Sequence, residues 1–264
     1  MPLLDVQNVS VSFGGLKALS DVTFSVEQGE IFSIIGPNGA GKTTLFNVVS
    51  GMSASNSGEV YLTGECLNGL PPQQRARLGI QRTFQNLQIL GSMTALENVM
   101  VGSHLHQRTG FFAALFGLPR VSDETEMAAQ DGRLLLDRLG LSTVRDQQAG
   151  TLAYGLQKRL EIARALAARP KILLLDEPAA GLNANETSEV GHLIRQLADE
   201  GITIVLVEHD MRLVMGISSR IFVLNFGRAL ACGTAAEVSN NPEVIRAYLG
   251  VEMHPEVESA SHGP

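Results

Sequence analysis

Apolar and polar positions along the chain follow two alternating rhythms. EIFSII (30–35), KILLLDEP (171–178) and ITIVLVEHD (202–210) are apolar runs of strand length, and the last two end in polar residues. Runs of this kind, short and almost wholly apolar, predict strands of a parallel sheet covered on both faces. The β-rich alternation in VQNVSVSF and DVTFSV, broken by Gly14-Gly15 and Gln28-Gly29, predicts an antiparallel lobe within residues 3–35. From residue 86 to about 168 the helical period takes over, most clearly in ALENVMVG, DGRLLLDRLG and LQKRLEIARAL. In the last of these Leu160, Ala163 and Leu166 recur on one face, while Lys158, Arg159, Glu161 and Arg164 mostly occupy the others.

The expected architecture is therefore α/β: a mostly parallel sheet core, an N-terminal antiparallel β lobe and an inserted α-helical lobe. All three belong to one domain over residues 1–250, with the core in 1–85 and 169–250 and the helical lobe in about 86–168. Segment 104–127 is the least regular part of the lobe, and its apolar FFAALFGL suits a short packed helix and a partner-binding surface equally. Asn241-Pro242-Glu243 combines a capping residue, a first-turn proline and an acid, which starts a helix at VIRAYL. Residues 251–264 form a polar tail.

Candidate chemistry sits where the apolar runs end. GPNGAGKTT follows the first run and opens a helical segment, and Gly36 to Thr43 fits the phosphate-loop pattern G-x-x-x-x-G-K-[ST]. In that pattern the main-chain N–H groups of Gly36, Pro37, Asn38, Gly39, Ala40, Gly41, Lys42, Thr43 and Thr44, proline excepted, surround phosphates. The Lys42 ammonium reaches the β and γ phosphates, and the Thr43 hydroxyl binds Mg²⁺. ILLLDEP puts Asp176 at the carboxyl end of the second run, where it holds the cation through its water shell. Glu177 adds a second carboxylate that can polarise an attacking water, so the expected reaction is hydrolysis of a nucleoside triphosphate rather than transfer to an alcohol. His209 ends the third run on the same sheet edge, placed to hydrogen-bond the γ-phosphate or the water.

Composition narrows the field. Lys and Arg total 20 against 27 Asp and Glu, a net charge of −7 with no basic run, which disfavours nucleic acid as a partner. Two cysteines, Cys66 and Cys232, lack metal-ligand spacing and fit a reducing cytosol. The start MPLLDVQNVSVSF carries no signal-peptide pattern, and no apolar run approaches the roughly 20 residues that span a bilayer.

These elements, in this order, resemble the ATP-binding cassette (ABC) family of transport ATPases, which are P-loop NTPases, over residues 3 to 250. The resemblance implies a role for Phe13 as the aromatic that stacks on adenine. It makes Gln85 of RTFQNL the residue that senses the metal and the water. LAYGLQ stands where the family has its signature, usually LSGGQ, so Ala153, Tyr154, Gly155 and Leu156 are expected to cap ATP held by a second ATPase subunit. Ala153 lacks the signature hydroxyl and Tyr154 replaces its first glycine. Gly155 and the helix N-terminus are thus expected to carry the contact, with Tyr154 turned toward a neighbour. Ala180 to Asn183 match the D-loop, with Asn183 where aspartate is common, and His209 matches the switch histidine.

FGGLKAL, RTFQNLQIL, YGLQKRLEIARAL, DEPAAGLNANET and the ending from HDMRLVMGISS to IRAYLG are similar to the ATPases of branched-chain amino acid uptake systems. That subfamily implies a peripheral protein on the cytoplasmic face of the inner membrane. Its implied partners are a second ATPase subunit, identical or a sister, two membrane-spanning permease subunits and an external solute-binding protein. Urea or short amides, and lipid or lipopolysaccharide export, are the alternative cargoes. Non-transport cassettes fit less well, because the chain has neither a long coiled-coil insertion nor a second cassette.

Overall fold

The computed structural model describes residues 1–83, 87–103 and 119–249. Leu4–Phe13 (β1) and Leu16–Val26 (β2) form an antiparallel hairpin across Gly14-Gly15. Ile31–Ile35 (β3) leaves that sheet for another and is followed, across a glycine-rich loop, by Lys42–Ser50 (α1). Ser57–Leu62 (β4) and Glu65–Cys66 (β5) return to the hairpin, giving a four-stranded sheet of order β2-β1-β4-β5. The antiparallel lobe thus extends beyond the expected 3–35 stretch, and EIFSII does not belong to it. The signal in SGEVYL is weak because only Val60 and Leu62 of β4 are buried.

Pro72–Leu78 (α2) leads to Ile80–Arg82 (β6), and the helical region contributes Ala95–Gly102 (α3), Pro119–Arg138 (α4) and Tyr154–Ala167 (α5). Then come Ile172–Asp176 (β7), Ala184–Asp199 (α6), Thr203–Val207 (β8) and Met211–Ile217 (α7). Arg220–Asn225 (β9), Arg228–Gly233 (β10), Ala235–Ser239 (α8) and Pro242–Leu249 (α9) follow. The second sheet has six strands in the order β10-β9-β3-β8-β7-β6, parallel except for the β9–β10 hairpin.

All five residues of β3, β7 and β8 are buried, so their almost wholly apolar runs are the mark of strands covered twice. Alternation persists inside them. Leu174 of β7 faces the core shared with the antiparallel sheet, where Phe24 stacks on Phe32 at 5.1 Å between ring centroids. Leu173 and Leu175 face a second core with α5 and α6. The described residues of the helical region share a core with the sheet: Ala95, Val99, Leu136 and Leu160 pack into the same cluster as Leu173 and Leu206. Each such buried aliphatic side chain contributes about 1.5–3 kcal/mol.

Two local expectations change. Within segment 104–127, residues 104–118 lie outside the described residues, but from Pro119 onward the chain is regular helix. A proline at the first helical position gives up an N–H that has no partner there. In α5 Lys158 and Glu161 are buried rather than on a solvated face. Lys158 lies over the Tyr154 ring at 5.8 Å, and Glu161 accepts from the Gln88 N–H at 3.4 Å. The helix is packed on more of its surface than its apolar stripe, so its charges find partners inside. The polar tail lies outside the described residues.

Candidate active site at the carboxyl ends of three adjacent strands

Parallel pairing places three loops side by side. β3 and β7 both flank β8, with Ile34 and Asp176 each in register with Val207. The loop from Gly36, Glu177 after β7 and His209 after β8 therefore emerge at one edge, where open α/β sheets collect ligands. In the loop, Asn38, Gly39 and Thr43 are exposed and Ala40 is buried. The Lys42 ammonium donates to the Gly36 carbonyl at 2.6 Å and the Pro37 carbonyl at 3.0 Å, folding the loop around itself. Burial holds its pKa below the ordinary lysine value, against the opposing pull of Glu177 and Asp176.

A Cβ at Gly36 would overlap the Leu224 carbonyl oxygen of β9. Backbone cannot step aside cheaply, so Gly36→Ala should cost about 1–3 kcal/mol and misplace the loop. A lowered unfolding midpoint together with weakened ATP binding, measured by titration, is the expected result.

Asp176 is buried, and its Oδ2 receives the Arg82 guanidinium at 2.7 Å. Arg82 also donates to Asn47 Oδ1 at 2.7 Å and Ser50 Oγ at 3.0 Å, tying β7 to α1 behind the phosphate loop. Glu177 has φ +49, a left-handed conformation that costs a non-glycine residue about 1–2 kcal/mol. Its N–H still bonds to the Val207 carbonyl at 2.9 Å, which holds the turn at the strand end. The exposed His209 imidazole has Nδ1 at 3.9 Å from Glu177 Oε2 and at 3.8 Å from Glu208 Oε2. Lys42, Asp176, Glu177 and His209 are therefore brought together as the sequence led us to expect.

The signature-like segment lies elsewhere in the chain's own fold. Ala153 is the N-cap of α5 without a side-chain cap bond, so the helix entrance keeps its main-chain N–H groups without a side-chain acceptor there. Gly155 is buried, and a Cβ there would stand 3.0 Å from Glu186 Oε1. Glu186 and Asn183 form the capping box of α6, so the missing side chain at 155 makes room for the segment that follows Ala180 to Asn183. The Tyr154 ring lies beside Gly181, where an added Cβ would stand 3.1 Å from it. It is half-exposed. Among the described residues, no hydrogen bond or ion pair joins Ala153 to Leu156 with the phosphate loop of the same chain.

Phe13 is 55% exposed at the tip of the β1–β2 hairpin. Gln85 lies outside the described residues. Three neighbours of the site have no counterpart among the sequence expectations: Arg82, Glu208 and Tyr248. The Tyr248 hydroxyl accepts from the Gly36 N–H, and burial pushes its pKa up to about 12 against that bond. In the sequence, VIRAYL is visible only as a helix start. Cation donors are sparse. Thr43 and Asp176 are available, and among the described residues no cluster of three or more His, Cys, Asp or Glu could hold a metal. One or two protein oxygens suit a hydrated Mg²⁺ that arrives on phosphates, rather than an all-protein cage.

The ABC transporter family model matches residues 19–180, and the branched-chain amino acid ATP-binding cassette transporter model matches residues 230–254, the stretch that contains Tyr248. The chain is 48% identical over 250 residues to the high-affinity branched-chain amino acid transport ATP-binding protein LivG of Escherichia coli, covering 94% of this chain and 98% of that one. Among solved structures, the ADP conformation of MJ1267, an ATP-binding cassette of an ABC transporter, superposes with a TM-score of 0.83 at 34% identity, covering 95% and 99% of the two chains. A dimeric post-hydrolysis state of the cassette MJ0796, bound to ADP and Pi, gives a TM-score of 0.74 at 26% identity, covering 88% and 98%.

Proposed function

Because this chain belongs to the ABC transporter family, we propose that it is the ATP-hydrolysing subunit of an importer for branched-chain, hydrophobic amino acids. The observation that carries the hydrolytic reading is the meeting of Lys42, Asp176, Glu177 and His209 at one sheet edge. The cargo rests on the similarity to LivG along nearly the whole chain.

In this reading the loop N–H groups after Gly36 hold the β and γ phosphates, and Lys42 turns from its own loop carbonyls to phosphate oxygens. Thr43 and Asp176 would hold Mg²⁺, with Gln85 sensing it, and the cation would supply positive charge against the phosphates. Glu177 orients a water and accepts its proton. The water oxygen bonds to the γ phosphorus as the bond to the β–γ bridging oxygen breaks, leaving ADP and phosphate. His209 hydrogen-bonds the γ-phosphate or the water, and Phe13 stacks on the adenine. Ala153 to Leu156 face ATP on a second cassette, and the dimeric MJ0796 structure supports that arrangement.

One ABC ATPase domain over residues 1–250, with the helical lobe inside it, sits on the cytoplasmic face of the inner membrane. No helix among the described residues is long and apolar enough to cross a membrane. Two permease subunits provide the path, and an external solute-binding protein delivers the cargo. ATP binding and hydrolysis bias a two-state pair of cassettes, and the permeases follow.

Purifying the complex from native membranes, identifying the permeases that co-elute, and measuring uptake into proteoliposomes tests this. Leucine, isoleucine and valine should enter in an ATP-dependent manner. Uptake of urea or a short amide instead, or outward movement of lipid, would replace the cargo assignment while leaving the ATPase role intact.

A further inference from the structure

Glu208 would continue the apolar run TIVLV of β8 if it were a valine, yet it is a carboxylate whose side chain is wholly buried. Burying such a group carries a desolvation cost of several kcal/mol unless hydrogen bonds compensate it. Here they do. Oε1 accepts from the Ala179 N–H at 2.8 Å, and Oε2 accepts from the N–H groups of His209 at 2.9 Å and Asp210 at 3.3 Å.

These three donors belong to two different loops. Ala179 lies two residues beyond Glu177 on the chain leaving β7, whereas His209 and Asp210 leave β8. Main-chain pairing reaches only as far as the Glu177 N–H on the Val207 carbonyl. Past that point the Glu208 carboxylate bridges the loops that carry Glu177 and His209. The His209 Nδ1 also stands between two carboxylates, at 3.8 Å from Glu208 and 3.9 Å from Glu177.

We infer that Glu208 is a positioning residue for ATP hydrolysis: its buried carboxylate staples the two loops and so fixes the spacing between Glu177 and His209. The inference rests on the roles proposed above for those two residues. Because the staple lies behind the site and not on the phosphate loop, it bears on the chemical step and not on nucleotide binding.

ATP turnover and ATP binding by the full-length chain test it in four forms: wild type, Glu208→Gln, His209→Ala and the double variant. Glutamine keeps the shape but replaces one acceptor oxygen with a donor that must face an N–H. A misplacement approaching 1 Å lowers rates by up to about 100-fold, so Glu208→Gln should lower kcat by about 10- to 100-fold with KM and the ATP Kd nearly unchanged. In the His209→Ala background, where the spacing has lost its purpose, the same change should cost no more than about 2-fold.

If Glu208→Gln fails to bind ATP, the shorter Glu208→Asp, which cannot span both loops, is read by the same criteria. Unchanged kcat, or an equal loss of kcat in both backgrounds while His209→Ala alone is slow, overturns the staple. Wild-type turnover in His209→Ala overturns the proposed role of His209 itself, and the staple with it.

Discussion

Glu177→Gln leaves ATP bound and lowers its turnover by about 100- to 10,000-fold, the range in which a positioned general base acts. The substitution preserves volume, and the αL turn at φ +49 stays as it is. The N–H that bonds to the Val207 carbonyl is also untouched. Only the proton acceptor is lost. Steady-state phosphate release and an equilibrium ATP titration on the same preparation check this, and wild-type release would remove Glu177 from the role of base. A companion variant separates strain from chemistry. Glu177→Gly should be equally slow, yet more stable than wild type by about 1 kcal/mol, because glycine takes the left-handed conformation without penalty. Denaturant unfolding reads that gain, and its absence would mean that the turn is not strained.

Lys42→Ala should weaken ATP binding by roughly 10- to 100-fold, the equivalent of one charge-assisted contact. The lysine also donates to the Gly36 and Pro37 carbonyls. Gly36 and Pro37 are only half-buried, so water can replace the lost donor and the fold should survive. Burial already disfavours the ammonium, and Asp176 and Glu177 sustain it. Its removal takes one positive charge away from those carboxylates opposite the triphosphate, which adds repulsion to the lost contact. Titration calorimetry with ATP measures the change, and tight binding by the variant would refute the phosphate-loop assignment.

Legibility in the sequence followed burial. β3, β7 and β8 are covered on both faces, so all but Ser33, Asp176 and Thr203 are apolar, and the runs stood out. The residues proposed to carry the chemistry lie at or just past the carboxyl ends of these strands, so the order of residues alone was enough to place Lys42, Asp176, Glu177 and His209. β4 and β5 were illegible because each buries little and owes its form to partners already in the sheet. Glu208 could not be separated from His209, its neighbour, because what distinguishes it is three N–H donors from loops that meet only in space. Tyr248 was hidden for the same reason: it stands 212 positions after Gly36, whose N–H it accepts.

The stretch LAYGLQ marks the boundary between the two kinds of knowledge. Its pattern alone set a glycine at a helix entrance and tied it to the family's signature. Tertiary structure added the reason within this chain, that Glu186 fills the space a side chain would take, and turned Tyr154 onto Gly181. By itself the sequence marked the strands covered on both faces, the loop that fits the phosphate-binding pattern and the carboxylates at the strand ends, because those properties are written in consecutive residues. Only the folded chain decided which loops are stapled together, which charged residues of α5 are buried and what Arg82 holds. Those contacts join residues far apart in the chain, and no local period or motif records them.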